Sequence, residues 1–266
     1  MLDSATVDAY LERIGAKRPE RADAKALAHL HERHVLSVPF ENIDFAYGRP
    51  SPPIGLGASA LEKIISRNRG GCCYELNGAF HELLRTLEFD VAPLAARVME
   101  EDGFTPPLGH MALRVVTEDG EGPYLADVGY GNAFRHPLRL AERGEQADEQ
   151  GTFQLTEAPH GDLDLLRDGV LQYRLEQRPR ELDDFAAMTW WLRSSDDSPF
   201  LARQVCTLPT AEGRVTLAGR TLTHTAGGDK TKERLSEDAA LLAAYRAVFG
   251  IELATVPPSA DAPQHP

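Results

Sequence analysis

The chain has 266 residues, of which 42% are apolar and 26% charged, and a formal net charge of −13. Those values suit a buried core with more than one subdomain and exclude a globally disordered chain. The acidic balance excludes broad binding to nucleic acid or an anionic membrane surface, and no apolar run reaches the ~18 residues of a membrane span.

The N-terminal stretch lacks the basic start and apolar run of a signal peptide, so a cytoplasmic home is expected. Val7, Tyr10, Leu11 and Ile14 recur at helical spacing and stop at Gly15. Asp23 is placed to cap a second helix with Leu27 and Leu30 on its apolar face. Residues 35–57 are rich in Pro and Gly and read as a long loop. A third helix carries Leu61, Ile64 and Ile65, and Arg69-Gly70-Gly71 breaks it. A fourth has the stripe Leu76, Phe80, Leu83, Leu84 and Leu87. Cys73 therefore sits just after a glycine turn, at a helix N-terminus.

The period then changes to two. Met111, Leu113 and Val115 share one strand face, and residues 123–131 read as a strand ending in a glycine turn. Short strands follow over 153–158, 164–169 and 170–177, which predicts an antiparallel barrel or sandwich. The polar segment 141–151 reads as an exposed loop. A helix is expected over 181–195 and strands over 198–210 and 214–225. Ser236 is placed to cap a last helix bearing Leu241, Leu242, Tyr245, Val248 and Phe249 before Gly250. The tail is too rich in Pro to fold alone.

The chemistry rests on few residues. Cys72, Cys73 and Cys206 are an odd, sparse set without a CxxC pair, which reads as neither a disulfide framework nor a zinc site, and no metal is expected. A cysteine nucleophile must lose its proton from a reference value of about 8.5, beside a base that a third group orients. A helix N-terminus favours thiolate, and the Cys73 amide N–H is a donor suited to an oxyanion. His110 opens a strand, and Asp127 lies in an apolar strand, where a carboxylate is costly unless paired. The residues alone leave open a packed thiol, a structural or solvent-facing histidine and a turn-capping aspartate. No GxGxxG or GxxxxGK[ST] pattern occurs, so neither a Rossmann enzyme nor a P-loop NTPase is indicated.

Six segments together resemble the arylamine N-acetyltransferases. RGGCCYELNG at 69–78 follows that family's R-G-G-x-C-x-E-x-N pattern, HMALRV at 110–115 its histidine strand, and ADVGYG at 126–131 its aspartate turn. VPFEN at 38–42, DSPF at 197–200 and AVFGIEL at 247–253 match as well, so the resemblance runs from about residue 7 to 253. It implies an α+β fold with a cysteine-peptidase-like core. A helical bundle (1–90) would carry the cysteine and a central antiparallel β-barrel (91–180) the histidine and aspartate. An α/β lid (181–256) and a disordered tail (257–266) would follow.

The resemblance further implies Cys73, His110 and Asp127 as a catalytic triad in a ping-pong reaction. Acetyl-CoA would be the co-substrate, and a small-molecule arylamine or hydrazine the acceptor. Phe40, Tyr130 and Phe200 would line the acceptor pocket, Gly129 and Gly131 would border the coenzyme A cleft, and Arg69 and Glu41 would form a buried ion pair bracing the cysteine turn. Two positions depart from the family pattern: Cys72, usually aromatic, and Gly109, often Thr or Asp. Both lie where they would reshape the pocket. Amide synthases that close aniline-primed polyketides into macrolactams resemble the same family and would bring a carrier protein as partner. A cysteine hydrolase with the order Cys, His, Asp is a further alternative, as is a binding module, against which the intact triad argues. A coenzyme A donor needs a local basic patch on this acidic chain, with Arg97, Arg135, Lys230 and Lys232 as candidates.

Overall fold

Two capped amphipathic helices open the chain in the computed structural model, which describes residues 1–258. The expected tail at 257–266 lies outside the described residues from position 259 on. In α1 (Ser4–Ile14) the Asp3 carboxylate accepts the Thr6 N–H, and Gly15 ends the helix with a left-handed backbone. In α2 (Ala24–Ser37) Asp23 accepts the Ala26 N–H. Each such cap contributes about 1 kcal/mol. Both helices turn their apolar stripes inward: Val7, Tyr10, Leu11 and Ile14 from α1, and Leu27, Leu30 and Val35 from α2. After the two-residue strand β1 (Phe40–Glu41) comes α3 (Cys73–Thr86), whose residues from Cys73 to Leu84 are all buried. It packs against α1 and against strands of the barrel.

The helix expected around Leu61, Ile64 and Ile65 is not an α-helix. A 3₁₀ turn over Gly57–Ala60 runs into a single π-helical turn over Glu62–Ser66. Its i+5 bond runs from the Arg67 N–H to the Glu62 carbonyl at 3.1 Å, while the Ile64 carbonyl accepts Arg13 Nε at 3.1 Å and the Lys63 carbonyl accepts the Arg69 N–H at 3.1 Å.

The middle of the chain is a nearly closed antiparallel barrel. Its strands are β2 (Asp90–Glu100), β3 (Gly103–Phe104), β4 (His110–Val116), β5 (Tyr124–Ala126), β6 (Leu138–Arg139), β7 (Gln146–Asp148), β8 (Gly151–Glu157), β9 (Leu163–Arg167) and β10 (Val170–Pro179). They run in the order β6-β5-β4-β2-β10-β9-β8-β7, with β3 paired to β2. At the seam the Gln146 side chain accepts the Arg139 N–H at 2.8 Å and donates to the Arg139 carbonyl at 3.2 Å, tying β7 to β6. Alternate residues fill the interior, among them Phe134, Phe153, Leu155, Leu165 and Leu175; each contributes ~1.5–3 kcal/mol by its burial. The 141–151 segment, expected as an exposed loop, contains β7 and the buried Gln150. Its Asp148 carboxylate accepts backbone N–H groups of Arg135, His136 and Gln150, which draws the segment onto the barrel.

A second sheet has the order β1-β11-β12-β13-β14, formed by β11 (Val205–Pro209), β12 (Gly213–Ala218), β13 (Thr221–Ala226) and β14 (Asp229–Arg234). The N-terminal strand β1 thus belongs to it, with Phe40 opposite Thr207 and Glu41 opposite Cys206. Helix α4 (Ala186–Ser194) precedes the sheet, after a 3₁₀ turn over Leu182–Phe185. The strand expected from residue 198 starts only at Val205, because Pro199–Ala202 forms the one-turn helix α5, with Pro at its first position. The last helix, α6 (Asp238–Phe249), packs Leu241, Tyr245 and Phe249 against Cys206, Val215, Leu217 and Leu222. Ser236 does not cap it. The helix starts one residue later, with Glu237 at the cap, while Arg220 takes the Ser236 carbonyl at 2.8 Å. Among the described residues no helix is long and apolar enough to cross a membrane.

Candidate active site

Cys73 is the first residue of α3, and the turn before it is built without slack. The Gly71 carbonyl accepts the Glu41 N–H at 3.0 Å, and the Gly71 N–H donates to Pro39 at 3.4 Å. A Cβ on Gly70 would lie 1.9 Å from the Pro39 carbonyl oxygen, so only glycine passes there. The Glu75 carboxylate closes the turn by accepting the Cys72 N–H at 3.0 Å.

The barrel brings two side chains to the thiol. His110 opens β4 and Asp127 follows the end of β5, and Leu113 of β4 pairs with Ala126 of β5. His110 Nε2 lies 2.7 Å from Asp127 Oδ2. Nδ1 is therefore the ring nitrogen left for the hydrogen bond with Cys73. The rings of Tyr173 and Tyr130 flank the imidazole, at centroid distances of 5.2 and 5.5 Å.

Asp127 is fully buried, and its second oxygen is saturated. Oδ1 accepts Asn77 Nδ2 at 2.8 Å, the Gly129 N–H at 3.1 Å and the Tyr130 N–H at 3.0 Å. Asn77 also donates to the Met111 carbonyl and accepts the Val128 N–H, so one amide joins α3, β4 and the aspartate turn. The Asp127 N–H donates to His31 Nε2 at 3.0 Å, while His31 Nδ1 lies 2.9 Å from the Arg135 carbonyl. These partners assign the proton of His31 to Nδ1. Burial holds that imidazole neutral, with its pKa pushed down to about 4. Gly129 fits against the cysteine itself, since a Cβ there would lie 2.7 Å from Cys73 Cα.

The electrostatics favour an ion pair. Burial opposes ionisation of Cys73, but hydrogen bonds from Cys72 and His110, the His110 charge and the Met111 N–H outweigh it and hold the thiol down at about 5. Burial opposes the charge on His110 as well; Asp127 and Cys73 overcome it and raise the imidazole to about 10. Burial also works against the Asp127 carboxylate, and His110, Asn77 and the Gly129 N–H hold it below the usual range. Cys72 and Cys206 are buried thiols pushed upward by desolvation.

Cys73 and His110 border a cavity of about 430 Å³, in the size range of small-molecule sites. Phe40, Tyr130 and Phe200 line it, as do Gly129 and Gly131, and Trp191 adds a further ring. Phe200 meets Phe40 edge-on at 6.0 Å. The departure Gly109 also lines the cavity, its N–H closing a turn onto the Pro106 carbonyl at 3.0 Å.

Arg69 and Glu41 do not line the cavity. Arg69 donates to Glu41 Oε1 at 2.7 Å and to Asp44 Oδ1 at 2.9 Å. Lys63 joins them, lying 2.8 Å from Asp44, 3.0 Å from Glu75 and 3.6 Å from Glu41. Sequence reasoning missed Lys63 and Asp44 as members of this network, and His31 and Asn77 behind the aspartate. Asn77 carried a signal, because it falls one helical turn after Cys73 and shares its face. His31 carried one too, as a polar residue one turn beyond Leu27. Elsewhere, His136, Asp148 and Glu149 bring one potential metal-ligand atom each within 4.8 Å of one another. The Asp148 oxygens there are occupied by backbone N–H groups.

Comparison with known proteins places the chain as a whole. A family model described as N-acetyltransferase matches residues 23–256. Arylamine N-acetyltransferase of Mycolicibacterium smegmatis is 33% identical over 254 residues, covering 92% of this chain and 91% of the relative. Human arylamine N-acetyltransferase 1 is 30% identical over 244 residues, with 82% of each chain covered. Among solved structures, M. smegmatis arylamine N-acetyltransferase superposes with a TM-score of 0.85 at 30% identity, covering 95% of this chain and 93% of that one. The Mycobacterium marinum enzyme in complex with CoA gives 0.84 at 29% identity, with 92% of each covered. With the matched segments spanning nearly the whole chain and the same fold built from them, this protein belongs to the arylamine N-acetyltransferase family and is an acetyltransferase.

Proposed function

We propose that Cys73 carries the acetyl group as a thioester in a ping-pong transfer from acetyl-CoA to an aromatic amine or hydrazine. The observation that carries this reading is the buried chain Cys73–His110–Asp127 opening onto an aromatic-lined cavity. The CoA-bound neighbour from M. marinum supports the choice of donor.

In the first half-reaction the Cys73 thiolate attacks the acetyl carbonyl carbon. The bond from that carbon to Cys73 sulfur forms, the bond to the coenzyme sulfur breaks, and the imidazolium of His110 protonates the leaving thiolate. In the second, the amine nitrogen attacks the thioester and gives its proton to the now neutral His110. Cys73 leaves as thiolate, so the starting ion pair is restored together with an amide product. Asp127 holds the ring so that one nitrogen serves both transfers. The Cys73 amide, in the first turn of α3, has no intrahelical acceptor and is free to stabilise the oxyanion. Phe40, Tyr130 and Phe200 hold the acceptor ring, and Gly129 and Gly131 let the donor pass close to the backbone.

The test is acylation without acceptor. Acetyl-CoA alone should leave one acetyl group per chain, mapped by peptide mass to Cys73. Cys73→Ser should abolish it, and Cys72→Ser should keep it. Addition of an arylamine should discharge it into the amide. An adduct on Cys72, or discharge to water as fast as to amine, would overturn the reading.

A further inference from the structure

Strand pairing stops one residue short of the aspartate. β5 ends at Ala126, opposite Leu113, and β6 resumes at Leu138, so residues 127–137 form a loop. This loop carries Asp127, the cavity ring Tyr130 and the two cavity glycines, Gly129 and Gly131. The Asp127 N–H has no ladder partner, and a buried N–H left unpaired is costly. His31 of α2 takes it instead, with Nε2 accepting the N–H at 3.0 Å. The other nitrogen of the same ring reaches the far side of the loop, where Nδ1 donates to the Arg135 carbonyl at 2.9 Å. One side chain therefore joins residues 127 and 135 across the bend.

The ring is wedged into this place. Phe134 stacks on it, 15° from parallel at 5.6 Å, and Phe80 of α3 meets it edge-on at 6.0 Å. Glu32, the next residue of α2, lies 2.8 Å from the Arg135 guanidinium, so the helix grips the far end of the loop by carbonyl and side chain alike. His34 supplies the contrast. It is as deeply buried, one turn on in the same helix, and neither of its nitrogens has a hydrogen-bond partner among the described residues. Burial in this bundle therefore does not by itself line a histidine up with polar partners. Neutral imidazole carries its donor and its acceptor at separate corners of one rigid ring, which is what spanning two backbone groups requires.

We infer that His31 is a positioning residue for acetyl transfer: it clasps the two ends of the 127–135 loop and so keeps Asp127 in line with His110. The inference rests on the thioester reading above. His31 does not line the cavity and acts through the aspartate alone. Asn77 still holds the Asp127 carboxylate when the clasp is opened, so the expected loss is well below that from removing the carboxylate itself.

The test separates the two bonds. A Gln side chain places an amide oxygen where Nε2 lies, and an Asn side chain places an amide N–H where Nδ1 lies. His31→Gln thus keeps the Asp127 bond and gives up Arg135, and His31→Asn does the reverse. In His31→Asn, kcat and kcat/KM for an arylamine should fall together by about tenfold. The acid limb of Cys73 alkylation by iodoacetamide should move up by about one pH unit, because an imidazolium facing a displaced carboxylate stabilises the thiolate less. His31→Gln should restore kcat to within about threefold of the wild type, and the limb with it, even where its Tm is as low as that of His31→Asn. Equal kinetic losses in the two variants, or losses that follow Tm, would reduce His31 to a structural role and overturn the inference. The wild type gives an independent check. NMR of the histidine nitrogens should show His31 protonated at Nδ1 alone at neutral pH, and a proton on Nε2 would overturn the clasp without any variant. Wild-type protein that forms no acetyl adduct at Cys73 would instead overturn the thioester reading; the alkylation limb needs no donor and decides the clasp in that case too.

Discussion

Two buried polar clusters meet at the first turn of α3, and they treat charge in opposite ways. Cys73 and Asn77 are one turn apart and face Asp127 and His110. Glu75, two residues on from Cys73, is rotated by about 200° and faces Lys63. On the Lys63 side three carboxylates and two cations are locked by direct contacts, with Lys63 and Arg69 held up by their acidic neighbours against the pull of burial. On the Cys73 side the thiolate–imidazolium pair exists only while a proton stays on His110, and that proton is the one the proposed chemistry moves. One cluster fixes the turn; the other uses it. The comparison teaches that a rigid, directly bonded anchor is what lets a thiolate sit in a dry site without the helix end giving way.

The largest expected effect comes from breaking the second cluster at its base. Asp127→Asn should lower kcat by about 10³–10⁴-fold. An amide cannot stabilise the imidazolium as a carboxylate does, and its NH₂ group would compete with donors already aimed at this position. The fold should survive, because the side chain keeps its volume. Turnover with an arylamine, beside the circular dichroism spectrum and Tm, separates the two effects. Near wild-type turnover would remove Asp127 from the mechanism.

Breaking the first cluster should cost stability instead. Lys63 is 13% exposed at its side chain and touches three carboxylates. Lys63→Met leaves those carboxylates to Arg69 alone and should destabilise by about 3–5 kcal/mol in urea unfolding. The folded fraction should still form the acyl adduct. A loss of adduct formation at unchanged stability would show that the two clusters are not separable in the way argued above.

How much of this was legible before the fold was known follows from what each feature depends on. Helices α1, α2 and α3 were readable because one apolar stripe each, and Asp23 as a cap for α2, are local facts. The turn at Arg69-Gly70-Gly71 was readable from its glycines, whereas Cys73, His110 and Asp127 were singled out as a set only by the family resemblance, since the residues alone left a packed thiol, a structural histidine and a turn-capping aspartate open. The π-helical turn at Glu62–Ser66 was not readable, since its apolar spacing is that of an ordinary helix and its contacts, such as Arg13 on the Ile64 carbonyl, come from fifty-one residues away. Asp44 and Lys63 carried no signal, because a carboxylate's partner is a property of space and not of sequence. Of the expected basic patch, Lys230 and Lys232 lie exposed on β14, whereas Arg97 is taken by the Thr105 carbonyl and Arg135 by Glu32, pairings that again depend on space.

The smallest expected effect tests the boundary between the clusters, at Cys72. Its N–H belongs to the bracing side, through Glu75, whereas its thiol hydrogen-bonds to the Cys73 sulfur. Cys73 should be thiolate above its acid limb at about 5, and its imidazolium partner should persist until about 10. The sign is fixed by those directions: as pH falls through the lower value the thiolate is protonated and the ion pair is lost, and as pH rises through the upper value the imidazolium is lost. Alkylation of Cys73 by iodoacetamide should therefore be flat between these limits, where an ordinary thiol would still be gaining reactivity. Cys72→Ala removes one donor to the thiolate but keeps the backbone N–H that Glu75 holds. Its acid limb should move up by about one pH unit or less, with stability nearly unchanged. A limb that does not move would assign the low pKa to His110 and the helix end alone. A variant that loses stability like Lys63→Met would place Cys72 wholly on the bracing side.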